Sequence, residues 1–394
     1  MKKIIFYVIL VIANITNAQT PKLYIHFVSH NEPTDNMQTA LNYSKAKTKM
    51  IQMAEIIDSA DLKWNVQSSD GFVFGARNDQ KSTNTNIFKT LASTPYTDNV
   101  EIDPRNKNLF NQNIADQWYI LDSLGGKPTH ALGGCIYSTT DAANHPTDWE
   151  QYRNPIIGKV HGNSWQCNLI TGAGSYPPHQ NDLNDFGVFK PDSPTNFYHH
   201  NESQNLWCIG VGCAPLLDSL SDEQAIIDLI QGQVDSIQFG LWPADKFYVT
   251  RIMLNQSNFG PLFFSKLRKV IDSLTLIPSS QLVWANIGET FTDFQNWRTS
   301  TSHQYSQWLC GEKYNYINEI TDAKFDFYPN PASDFLTINF EDYNTHSLKI
   351  VDFSGKEILN CDVISTKNMD IVSLEKGAYF AVIDNSQTIK FIKE

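Results

Sequence analysis

"YIHFVSHNEP", residues 24–33, is the stretch on which the reading of the chain turns. Residues with the texture of a strand run straight into a histidine, an asparagine and an acid. Alternate side chains of a strand share a face. Residues 24, 26, 28 and 30 therefore look the same way, so His26 and His30 point together and Glu32 continues their line. In a parallel sheet the carboxyl ends of the strands are where ligands bind, which makes this polar strand end a candidate for chemistry.

Outward from this stretch, strand and helix alternate between Gln19 and about Gly311. Further strand candidates are "LKWNVQS", "NVEID", "HALGGCIY", "WQCNLI", "LWCIGVG", "FYVTRIML" and "LVWANIG". The run Met37 to Ser59 places Met50, Met53, Ala54 and Ile57 on one helical face, and Phe263, Phe264, Leu267, Val270, Ile271 and Leu274 mark another helix. Ser221, with Gln224 three residues later, reads as a capping box. Seven or eight strands alternating with helices predict an α/β domain over 19–311, a (β/α) barrel, with an open doubly wound sheet as the alternative. Thr139 to Asn205, rich in Pro, Asn, Gly and His, predicts long loops over one face.

The termini carry different signals. Lys2 and Lys3 precede the apolar run IIFYVILVIA, and small or polar residues lead to Ala18, so residues 1–18 read as a signal peptide. That run is short for a bilayer span and no later one reaches about 18 apolar residues, so the mature chain is expected to cross no membrane. Without the two lysines the formal charge goes from −12 to −14, which argues against nucleic acid as a partner. Six cysteines are too few for a disulfide scaffold; in "CIGVGC", Cys208 and Cys213 lack the paired spacing of a zinc site and suit a buried thiol or a disulfide. No P-loop, GxGxxG, GxSxG or HExxH motif is present, which lowers the odds for NTPases, nicotinamide enzymes, serine esterases and metallopeptidases.

From Phe325 the texture changes to short alternating strands with Pro-Asn-Pro and Ser-Gly turns, which predicts a small all-β sandwich over 325–394 after a linker at 312–324. The order "YPNPASDFLTI", "DFSGKEI", "LEKGAYFAVI" and "TIKFIKE" closely resembles the C-terminal sorting domain of the type IX secretion system. That resemblance implies export through the periplasm to the cell surface or medium, with the secretion machinery as a partner.

Strand-end carboxylates supply the expected chemistry. Glu101 and Asp103 share a face in "VEIDPR", Glu289 follows the last strand in "NIGE", and "NVQSSDGF" adds Gln67 and Asp70. Glycoside chemistry needs one acid to protonate a leaving oxygen and another to attack or activate water. The catalytic expectation is therefore Glu32, Glu289, Asp103 and Glu101, with Gln67, Asp70, Trp284 and His179 touching a glycan. His30 and Glu32, with His130, could hold one divalent metal ion such as zinc. Plainer readings stand beside these: Asp103 before Pro104 and Asp70 before Gly71 suit turns, and His26 suits a hydrogen-bonded core histidine. "SHNEP", with the strand–helix rhythm, is similar to the opening of the glycoside hydrolase/deacetylase superfamily of irregular (β/α) barrels. The similarity implies a hydrolase cleaving or deacetylating a glycan. The chain departs from the deacetylases in having no Asp-Asp pair at the first strand and only His130 in "THALGG" where a two-histidine motif is expected. A noncatalytic glycan-binding protein on the same scaffold is the alternative. In a closed barrel the first and last strands adjoin, so Glu32 as base or nucleophile and Glu289 as proton donor, its pKa raised by Trp284 and Ile287, are expected to be neighbours.

Export is directly testable. Amino-terminal sequencing of the secreted protein should begin near Gln19, and deleting residues 325–394 should leave the chain in the periplasm on immunoblots of cell fractions.

Overall fold

The computed structural model describes residues 20–32, 35–105, 111–134, 149–171, 185–193, 196–310, 325–340, 344–352, 356–384 and 387–393. Two compact units divide it, Met1–Glu312 and Lys313–Glu394.

In the first unit the principal elements are β1 (Leu23–Asn31), α1 (Ala40–Ser59), β2 (Trp64–Ser68), α2 (Asp70–Thr83), β3 (Val100–Pro104), α3 (Ile114–Ser123), β4 (Ala131–Leu132), β5 (Leu169–Thr171), β6 (Val188–Phe189), β7 (Trp207–Ile209), β8 (Leu216–Leu217), α4 (Glu223–Gln238), β9 (Tyr248–Asn255), α5 (Pro261–Leu274), β10 (Leu282–Trp284) and α6 (Ile287–Thr301). The central strand is β1. Along one edge it pairs in parallel with β9; along the other it pairs with β10 beside residues 23–25 and with β2 beside residues 27–31. A strand flanked on both edges and covered on both faces tolerates few solvated side chains, and Leu23, Ile25, Phe27 and Val28 are fully buried.

The sheet continues from β2 to β3, and β8 lies outside β9. A second ladder holds β4, β5 and β7 in parallel with β6 antiparallel at its edge. The two ladders meet where Thr129 N–H donates to Ile102 O and Gly133 N–H to Pro104 O, both at 2.9 Å. On the far side, Asp185, Phe186 and Gly187 accept from Gly212, Val249 and Gly210 N–H groups. Among the described residues no strand ladder joins β7 to β9; this short segment bonds to both flanks instead. The architecture is mixed α/β around parallel strands.

Register fixes the two faces. His26 pairs with Arg251, Val28 with Asn65 and Met253, His30 with Gln67 and Asn255, Asn65 with Glu101, and Gln67 with Asp103, so this face is polar. The opposite face carries Phe27 and Trp64, the latter ring 6.4 Å from Phe259, which stacks on Phe263 of α5. The α5 residues expected to be apolar-faced, Phe263 to Leu274, are buried, with Pro261 opening the helix. Helix α4 starts one residue later than its expected box: Asp222 is the cap, accepting from Gln224 and Ala225 N–H, while the Ser221 hydroxyl donates to Leu216 O. A carboxylate at the positive end of a helix outcompetes a hydroxyl there.

The second unit comprises β11 (Phe325–Tyr328), β12 (Phe335–Phe340), β13 (Thr345–Asp352), β14 (Glu357–Ile364), β15 (Thr366–Asp370), β16 (Gly377–Ile383) and β17 (Gln387–Lys393). Two antiparallel sheets, β11–β12–β15 and β14–β13–β16–β17, bury Leu336, Ile338, Phe340, Leu348, Ile350 and Ile383 at alternate positions in one core.

Cys213 is disulfide-bonded to Cys310, 97 residues away, whereas Cys208 in the same "CIGVGC" is a buried thiol. Closing a loop of that length restricts the unfolded chain. Replacing both partners by alanine should therefore lower unfolding free energy by about 2–4 kcal/mol, measured by denaturant titration of the oxidised protein.

Candidate functional site

The polar face is built in rows. Nearest the carboxyl end, Asn255, His30, Gln67 and Asp103 stand side by side on β9, β1, β2 and β3. Asp103 is fully buried. Its Oδ1 accepts from the Thr129 hydroxyl at 2.6 Å; Oδ2 accepts from Asn65 Nδ2 at 2.9 Å and lies 3.5 Å from Gln67 Nε2. One row back, Glu101 accepts from Asn65 Nδ2 at 2.7 Å and from Gly288 N–H at 3.0 Å. Burial, then the neighbouring Asp103 charge, push Glu101 well above the ordinary carboxylate range; burial likewise raises Asp103, against four hydrogen bonds that lower it. Glu101 holds the proton of the pair and donates it to Asp103.

Beyond the last row, Glu32 and Arg105 form an ion pair, with the guanidinium buried and the carboxylate partly open. Arg105 is held from behind. Its N–H donates to Gln117 Oε1 at 2.8 Å, and Gln117 Nε2 donates to Ser68 O and to Asp70 Oδ1, each at 2.9 Å. Gly133 and Gly134 make room in front: a Cβ on Gly133 would stand 2.2 Å from the Gln67 amide, and one on Gly134, at φ +70°, 2.4 Å from Arg105 Nη1. Among the described residues, the buried atoms at these strand ends without a hydrogen-bond partner include Asn31 Oδ1, Arg105 Nη1 and Thr171 Oγ1. Thr171 follows in register beside Gly133, which bridges to Arg105.

Of the residues expected from the sequence, the structure gathers His30, Glu32, Gln67, Asp70 and Asp103 at this end of the sheet, with Glu101 one row deeper. It does not bring Glu289 there. Asn286 and Glu289 form a capping box at the start of α6, and Glu289 pairs with Lys63, the residue before β2, at 3.0 Å. Lys63 also reaches Asp98 O, ahead of β3, so Glu289 lies at the amino end, about 20 Å of strand rise from Glu32. Trp284 is in register with Ile25 and stacks on Phe27 at 5.1 Å, on the helix-covered face. His130 also turns away: Nδ1 is 2.8 Å from Gln166 O and the ring lies between Trp118 and Trp165. The metal set His30, Glu32 and His130 is therefore not assembled, and among the described residues no group of three or more His, Cys, Asp or Glu side chains fits a metal ion. His179 lies outside the described residues.

Sequence reasoning missed Arg105, Asn65, Thr129 and Gln117. Asn65 and Arg105 were within reach, because each continues the alternation that singled out Gln67 and Asp103. Nothing local marks Thr129 or Gln117, whose partners lie 26 and 12 residues away.

Residues 326–394 match the family model of the secretion system C-terminal sorting domain. The chain is exported. It is secreted or attached to the cell surface, and its last 69 residues are of the type IX sorting class. No curated protein sequence matches the chain. Among solved structures, a 4-alpha-glucanotransferase from Thermococcus litoralis superposes with a TM-score of 0.40 at 11% identity, covering 75% of this chain. The chain spans 41% of that enzyme's length. A probable polysaccharide deacetylase from Pseudomonas aeruginosa PAO1 gives 0.44 at 9% identity, covering 70% of this chain and 92% of the other. Puue allantoinase gives 0.43 at 9%, covering 74% and 94%.

The shared proton yields a pH signature. The folded protein keeps it above the ordinary glutamate value of 4.5, so its contribution to stability is fully present below that value and is lost as pH rises toward the raised folded one. The melting temperature should fall as pH rises above 4.5, and Glu101→Gln, which keeps a donor toward Asp103 without a titrating proton, should flatten that slope.

Proposed function

We propose that the first unit is an exported hydrolase of acylated glycans, with its parallel strands wrapped into an irregular barrel of seven or eight strands. In support of the barrel, residues 185–187 bond to both β9 and the residues after β7, the two edges that closure would join. In support of the reaction, a single observation carries most weight: the Glu32 carboxylate pairs with the buried Arg105, whose Nη1 lacks an acceptor. Glu32 would take a proton from water as that water attacks an acyl carbonyl, Arg105 Nη1 would donate to the oxyanion that forms, and the same proton would pass from Glu32 to the departing sugar atom as its bond to the acyl carbon breaks. Gln67 and His30 would orient the sugar, and Asp103 would hold Gln67 and Thr129 in place. Deacylation is favoured over glycosidic cleavage because the protonated carboxyl, Glu101, is one row deeper and turned to Asn65 and Gly288, where it cannot reach a leaving oxygen beside Glu32.

One observation favours the noncatalytic reading, in which the same groups bind a glycan without reaction. The Arg105 ion pair already engages the Glu32 carboxylate that would have to take the proton.

Acetate release from acetylated xylo- and chito-oligosaccharides decides between them. Glu32→Gln should slow release by a factor of about 10² or more while leaving the melting temperature nearly unchanged. Retained turnover in that variant would move the base elsewhere; binding by the wild-type chain with no release at all would support the noncatalytic reading.

A further inference from the structure

A cavity of about 630 Å³ opens at the other end of the first unit's sheet. Its walls come from the start of β1 (Lys22, Tyr24), the residues leading into β9 (Asp245, Lys246, Phe247) and the second half of α6 with the turn after it (Asp293, Asn296, Trp297, His303). None of these residues touches the Glu32 site: Tyr24 is eight positions before Glu32 on the same strand, about 25 Å of rise away.

Two aromatic layers form the apolar part. Phe294, Trp297 and His303 stack in sequence, at 5.8 Å and 27° and then at 5.2 Å and 10°, and the last two of these rings line the cavity. Tyr24 stacks on Phe247 at 4.4 Å and 22°. The Asp293 carboxylate also lines the cavity, beside the Tyr24 hydroxyl. Around the rim, Asn296, Ser300 and Thr301 add an amide and two hydroxyls. The charges balance, since two lysines, Lys22 and Lys246, and two aspartates, Asp245 and Asp293, line it.

Each feature narrows the ligand. The volume falls within the range of small-molecule sites, about 300–1,000 Å³. A net-neutral wall favours neither a phosphate nor a polycation. Flat rings between a carboxylate, an amide and hydroxyls suit a molecule with one apolar C–H face and an edge of hydroxyl groups. We propose that this cavity is a second, noncatalytic binding site for a neutral saccharide, which stacks on His303 and donates hydroxyl hydrogen bonds to Asp293. A chain with two sites at opposite ends of its sheet can stay on a polymer while the Glu32 end works on another stretch of it. The proposal stands on the cavity alone and does not require that Glu32 be catalytic.

The test is binding of cellobiose, xylobiose, mannobiose and N,N′-diacetylchitobiose to the full mature chain, followed by saturation-transfer NMR and calorimetry. At least one should bind, and His303→Ala should weaken it about tenfold, the order of one aromatic face. Asp293→Asn should also weaken binding, and both variants should melt with the wild type and keep its rate of acetate release. Glu32→Gln should leave this binding unchanged. If none of the four sugars binds, or if binding survives both His303→Ala and Asp293→Asn, the proposal is overturned. Loss of binding in Glu32→Gln alone would place the sugar at the other end and overturn it equally.

Discussion

Two carboxyl groups two residues apart on one buried strand set the terms for the rest of the first unit. Two full charges at that spacing, away from water, would cost several kcal/mol, so Glu101 keeps its proton and gives it to Asp103. The remaining lone pairs then need donors. Asn65 serves both acids with one amide and accepts Ile287 N–H with its oxygen, which fastens the start of α6 to β2 and β3. Thr129 brings in the chain just before β4. A single shared proton thus couples three strands and a helix.

Satisfying the interior from below leaves the strand ends above it free for other uses. Gln67 is aimed by Asp103, and Arg105 by Gln117, which in turn rests on Asp70. Positions that looked like candidate reactive groups in the sequence are split by depth. Asp103 and Asp70 are buried and serve their neighbours, whereas Glu32 is partly open and faces a cation.

Much of this layout is visible in the sequence and some is not, for physical reasons. Alternation in "YIHFV", "NVQS" and "VEIDP" places His30, Gln67 and Asp103 on shared faces, because period two is a property of the strand itself. Which end of the sheet a residue occupies is not local. "NIGE" carries the Asn-x-x-Glu signature of a helix start, and that reading, rather than a strand end, is what the fold uses for Glu289. Trp284 is lost to the site because β10 pairs only with residues 23–25 and inherits the face of Ile25. His130 needs the positions of Trp118 and Trp165 before its orientation can be known. The partner of Cys213 is likewise set by tertiary folding, 97 residues on.

That crosslink ends two residues short of the boundary at Glu312. Any tension applied through the sorting domain enters the first unit at Cys310 and passes by a covalent bond to Cys213, beside the buried residues 208–209. The stretch from Ala214 to Leu309 lies inside the closed loop, outside the shortest covalent path. Its β-bridges at Ser306 and Leu309 are shielded from the direct pull, so hauling the chain by its tail loads the sheet core rather than peeling the last turn away from it.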